Sequence, residues 1–165
     1  MDYYCWNNEY VDFRDMNKVK IAILASGSGS NAEQITVFLR SNKSLGIEVD
    51  LILTNNSKAF VIERSKKLGV DYSVFDKAGF SQSDEVVTLL EDRGVDYVVL
   101  AGFLWLVPQR LISAFPDRII NIHPALLPKF GGKGMYGSHV HQAVVDKGEI
   151  ESGITIHLVD EQYDN

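Results

Sequence analysis

The chain has 165 residues, 45% of them hydrophobic and 23% charged, with 16 basic against 22 acidic side chains and a net charge of -6. That length suits one domain with a real core, and the acidic balance argues against nucleic acid or an anionic membrane as partner. A single cysteine, Cys5, excludes an internal disulfide and fits a reducing, cytoplasmic setting; no apolar run approaches the ~20 residues of a membrane span.

Residues 1–17 show no clear period and read as an N-terminal extension, with the folded domain expected over 18–165. Residues 19–26 (VKIAILAS) form a near-continuous apolar run, the pattern of a strand buried on both faces of a parallel sheet. A helix is predicted over 31–42, with Ile35, Phe38 and Leu39 on its inner face. A second strand follows at 47–53, a helix at 58–68 closed by Gly69, and a short strand at 72–75. A helix over 81–93 is expected, capped by Ser81 or Ser83 and ended by Gly94. The most apolar strand is 95–103, and a short helix at 108–115 opens near Pro108. A strand at 118–124, a glycine-rich loop at 131–137, a helix at 138–147 and a strand at 153–159 complete the series. Alternating strands and helices predict an α/β fold: an open, mainly parallel twisted sheet with helices on both faces. The chain stops at Tyr163-Asp164-Asn165 directly after a strand, an ending that predicts a fragment whose C-terminal part lies elsewhere.

Two places carry chemistry. After the first strand comes Ser26-Gly27-Ser28-Gly29-Ser30-Asn31, then a helix. Glycines let backbone approach a ligand, and N–H groups at a helix start favour an anion such as phosphate. The spacing Gly27-x-Gly29-x-x-Ala32 also matches the dinucleotide fingerprint, but the second strand ends in Thr54-Asn55-Asn56 rather than in the acid a ribose needs, and Asp50 falls on the wrong edge. The plain alternative is a strand-to-helix turn capped by Ser30 or Asn31.

The second place is Asn121-x-His123-Pro124. Residues two apart on a strand share a face, so an amide and an imidazole stand together at the C-terminal edge, where open α/β sheets bind ligands. An amide beside an imidazole suits stabilising an oxyanion while moving a proton. A carboxylate to orient the imidazole is available at Asp160, Glu161 or Asp164, among which spacing does not choose. His123, His139, His141 and His157 offer no recognised metal spacing, so no metal is expected.

Taken together, SGSGSN, LAGF at 100–103, NIHPALLPKF at 121–130 and DEQYD at 160–164 resemble the folate-dependent phosphoribosylglycinamide formyltransferase family, within the formyltransferase superfamily. The resemblance implies formyl transfer from 10-formyltetrahydrofolate to the amine of glycinamide ribonucleotide, a purine-biosynthetic step. By the same likeness, Gly29, Ser30 and Asn31 hold the substrate phosphate. Leu104, Trp105, Leu106 and Val107 line the folate pocket with Asn121, Asp160, Glu161, Gln162, Tyr163 and Asp164. Asn121, His123 and Asp164 are implied to be catalytic. Trp105 and the longer stretch 131–138 depart from many members. Two alternatives stay in view: another folate-dependent formyltransferase, such as one acting on methionyl-tRNA, and a non-catalytic module that captures a phosphorylated metabolite.

Overall fold

In the computed structural model, which describes residues 18–132, 135 and 137–160, the first apolar run is strand β1 (Val19–Leu24) near the centre of a six-stranded sheet. The others are β2 (Ile47–Thr54), β3 (Asp71–Val74), β4 (Tyr97–Leu100), β5 (Ile119–His123) and β6 (Thr155–Leu158), in the order β3-β2-β1-β4-β5-β6. All neighbours are parallel except β6, which runs antiparallel to β5.

β1 is apolar at consecutive positions because both its faces are covered. Ala22 and Leu24 join a core with Leu51, Leu53, Val98, Leu100 and Ile119, while Ile21 and Ile23 join Ile52 and Val99 on the opposite face. Helices α1 (Ser30–Ser41) and α2 (Val61–Leu68) cover the second face; α3 (Lys77–Ser81), α4 (Glu85–Asp92) and α5 (Gln109–Ala114) cover the first. A last helix, α6 (Ser138–Asp146), packs Val140 and Val144 on Ala125 and Phe130, next to the end of β5.

Three expectations change. The helix expected over 81–93 is the shorter α4, with the Ser83 hydroxyl accepting from Glu85 N at 3.4 Å, and a separate short helix, α3, precedes it, capped by Asp76, whose Oδ1 accepts from Gly79 N at 2.8 Å. Phe80 and Val86 both belong to the core, yet six residues of continuous helix would place them about 120° apart; the break at 82–84 realigns them. On α1 the buried set is Ala32, Thr36 and Leu39, and Phe38 is 58% exposed. Asp50 sits in the sheet rather than at its edge. The register steps from Ile21↔Val49 to Ala22↔Leu51, so Asp50 is the extra residue of a bulge, and its carboxylate takes a hydrogen bond from Arg93 Nε at 2.5 Å. That pairing and a second bond to Asp71 hold the Arg93 pKa above its ordinary value, against partial desolvation.

Candidate active site

The strand order places β2 and β4 on either side of β1, so the loops leaving β1 and β4 diverge to opposite faces and open a crevice at the C-terminal edge. The roots of the two loops are tied together. Ser26 N donates to Gly102 O at 3.1 Å, and Leu104 N donates to the Ser26 hydroxyl at 3.0 Å. Ser26 is accordingly buried.

The glycine loop is held by its carbonyls. Gly27 O accepts from Val61 N at 3.1 Å, Ser28 O from Arg64 Nε at 2.9 Å, and Gly29 O from Glu33 N at 3.0 Å. No N–H of Gly29, Ser30 or Asn31 has an acceptor among the described residues. Gly29 itself is the N-cap of α1, with φ 70° and no side-chain capping bond, so neither Ser30 nor Asn31 caps the helix. A β-carbon on Gly29 would lie 2.3 Å from Val61 Cγ2 and 2.9 Å from Val61 Cα. Glycine is required there both for its left-handed backbone and for the close approach of α2.

After β4, Leu104 and Leu106 are exposed (47% and 62%) while Val107 is buried. Trp105 turns away into a ring cluster, 6.0 Å from Phe75 and 6.1 Å from Phe80, whose own rings stack at 4.9 Å. The indole thus closes an aromatic cluster and also lines a cavity of about 410 Å³ with Asn55, Asp76, Lys77 and Glu85. Asn55 Oδ1 in that wall is buried without a hydrogen-bond partner. In the sequence Asn55 counted only against a dinucleotide; the signal available was its place just past the end of β2.

At the end of β5, Asn121 is half-buried and His123 is buried. The His123 Nε2 lies 2.7 Å from Phe130 O. A carbonyl only accepts, so Nε2 carries a proton and Nδ1 bears the lone pair. Asn121 Nδ2 lies 3.0 Å from Nε2 of His157 on β6, a residue that in the sequence stood out only as a possible metal ligand. The turn beyond the strand is braced by Thr155, which accepts from Leu127 N at 3.0 Å and donates to Ala125 O at 2.7 Å.

Of the three candidate carboxylates, Asp160 alone falls among the described residues. β6 is antiparallel, and Val159 N donates to Ile119 O at 2.8 Å. Asp160 therefore follows at the start of β5, about 13 Å of strand from His123 at ~3.3 Å per residue. No described carboxylate hydrogen-bonds the His123 ring. Glu161, Gln162, Tyr163 and Asp164 lie outside the described residues. Among the described residues no three His, Cys, Asp or Glu side chains converge on a common point.

Fold and strand order together define a doubly wound α/β protein whose candidate site is the switch point, with a polar amide–imidazole pair on the neighbouring strand. A family profile described as formyl transferase matches residues 19–165. The chain is 47% identical over 150 residues to a chloroplastic phosphoribosylglycinamide formyltransferase of Arabidopsis thaliana, covering 88% of this chain and 51% of that one. A Vigna unguiculata protein of the same name is 44% identical over 154 residues, covering 90% and 49%. Among solved structures, glycinamide ribonucleotide transformylase 1 from Symbiobacterium toebii superposes with a TM-score of 0.80 at 32% identity, covering 96% of this chain and 74% of that one. The chain belongs to the formyl transferase family, and it spans about half the length of its curated plant relatives.

Proposed function

We propose that the protein transfers a formyl group from 10-formyltetrahydrofolate to the amine of glycinamide ribonucleotide. The observation that carries this reading is the placement of Asn121 and the glycine loop at one C-terminal sheet edge, in a chain whose plant relatives bear that activity in their names. The loop's outward N–H groups and the N-terminal end of α1 suit the acceptor's phosphate. Exposed Leu104 and Leu106 supply apolar surface for the donor's flat ring.

In this reading the acceptor amine attacks the formyl carbon on N10 of the folate, forming the new C–N bond and an oxyanion. Asn121 donates an N–H to that oxygen. The tetrahedral species collapses, the bond to N10 breaks, and N10 takes the proton that the amine loses. His123, through Nδ1, is assigned the movement of that proton. Asp164 is assigned, on the resemblance carried by DEQYD, as a carboxylate whose charge favours the protonated His123. The net charge of -6 favours a small acceptor over a transfer RNA.

The test is a formyl-transfer assay on the purified full chain, following tetrahydrofolate release by absorbance. Turnover with glycinamide ribonucleotide that disappears in Asn121→Ala supports the assignment. A folded protein that binds the donor without transferring to this amine refutes the acceptor, and unaffected turnover in Asn121→Ala refutes the mechanism.

A further inference from the structure

We propose that Arg64, on α2 and outside the crevice, is a positioning residue that orients the glycine loop for the acceptor's phosphate. The inference rests on the functional reading above for its substrate, and on geometry for everything else.

A trans peptide unit is planar, and its C=O and N–H point in opposite directions. Fixing one carbonyl therefore aims the N–H of the next residue. Val61 N holds Gly27 O, Arg64 Nε holds Ser28 O at 2.9 Å, and Glu33 N holds Gly29 O. The N–H groups of Ser28, Gly29 and Ser30 are turned the other way as a result. Two of these three anchors are backbone groups; the one at Ser28 is a side chain, and it controls the Gly29 N–H. Gly29 sits at φ 70°, and flanking glycine and serine leave this loop many conformations to lose. Without Arg64, rotation of the 28–29 peptide would present a carbonyl oxygen, the negative end of the dipole, to an incoming anion.

Arg64 also acts on charge. Its Nη1 pairs with Glu33 Oε2, with side-chain exposures of 24% and 18%. Glu33 lies in the first turn of α1, where an uncompensated carboxylate would repel the anion that the helix end attracts. The guanidinium is held over the Phe60 ring, 5.2 Å from its centroid, so its plane is set from three sides.

The experiment compares wild type, Arg64→Met, Arg64→Lys and the double variant Arg64→Met/Glu33→Gln as full chains. KM is measured for each substrate, and binding of inorganic phosphate is followed at the Ser30 and Asn31 amides by NMR. Loss of a charge-assisted hydrogen bond and its ion pair predicts at least about tenfold weaker phosphate binding in Arg64→Met and a matching rise in KM for glycinamide ribonucleotide. The KM for 10-formyltetrahydrofolate stays at the wild-type value. The double variant recovers part of the loss because the repelling carboxylate is gone. Arg64→Lys keeps the charge but not the planar fork, and falls between; it also carries the test if Arg64→Met does not fold. Unchanged phosphate binding in the folded variants, or an equal rise in both KM values, overturns the proposal. Wild-type protein that binds phosphate, loses it in Arg64→Met and yet transfers no formyl group would sink the functional reading while leaving the role of Arg64 in place.

Discussion

Asn121 and His157 face each other directly across the antiparallel β5–β6 pair, with Nδ2 of the amide 3.0 Å from Nε2 of the ring. The other ring nitrogen, Nδ1, lies 3.1 Å from Leu158 O, which can only accept. His157 therefore carries its proton on Nδ1 and offers the Nε2 lone pair to one Asn121 N–H. That contact sets which way the amide is turned, and in the proposed reaction the second N–H serves the oxyanion. His157→Phe removes the acceptor and should lower kcat by about 10–100-fold, less than deletion of the donor itself. His157→Gln should retain more. A His157→Phe enzyme with wild-type kcat would remove this residue from the site.

Asn121 and His123 should respond differently to truncation. Asn121→Ala is expected to cost roughly 10²–10³ in kcat, the usual loss for one oxyanion donor, with little change in melting temperature. His123 is 4% exposed and bonded to Phe130 O. His123→Ala leaves that carbonyl unpaired, so it should lose about 1–3 kcal/mol of stability as well as turnover. Parallel kinetics and thermal melts separate the two; an unshifted melt for His123→Ala would contradict the buried hydrogen bond.

The two loop glycines should separate just as cleanly. A β-carbon on Gly29 meets Val61 backbone and side chain below 3.0 Å at a positive φ, so Gly29→Ala should cost at least about 1–3 kcal/mol and weaken phosphate binding. A β-carbon on Gly27 would meet nothing within 4 Å, so Gly27→Ala should melt within about 1 kcal/mol of wild type. Denaturant titration of both variants checks this; equal losses would mean the loop's flexibility, not its packing, requires glycine.

Trp105 joins the segment after β4 to the aromatic cluster. Trp105→Phe keeps a ring against Phe75, Phe80 and Phe103 and should cost less than about 1.5 kcal/mol. Trp105→Ala opens the cluster, and a loss of roughly 2–3 kcal/mol is expected for a half-buried indole. The KM for the folate donor should rise in Trp105→Ala, because Leu104 and Leu106 flank the disturbed residue. A donor KM equal to wild type would confine Trp105 to packing.

The parallel sheet, the helix boundaries set by Gly69 and Gly94, and the polar pair Asn121/His123 at a strand end were legible from pattern alone. Hydrophobic period, glycine conformational freedom and strand alternation are local properties, written in neighbouring residues. What the local pattern could not carry were relationships between distant segments. The break between α3 and α4 depends on where Phe80 must meet Phe75 and the sheet. The bulge at Asp50 depends on Arg93, 43 residues later. The antiparallel sense of β6 moved Asp160 to the far end of β5 and brought His157 to Asn121. Sequence by itself determined the kind of site: an anion-suited glycine loop and an amide–imidazole pair at one sheet edge. Only the tertiary structure decided what bonds to them, Arg64 to the loop carbonyl of Ser28 and His157 to the Asn121 amide, because a hydrogen bond across 36 residues is specified by packing and leaves no period in the chain.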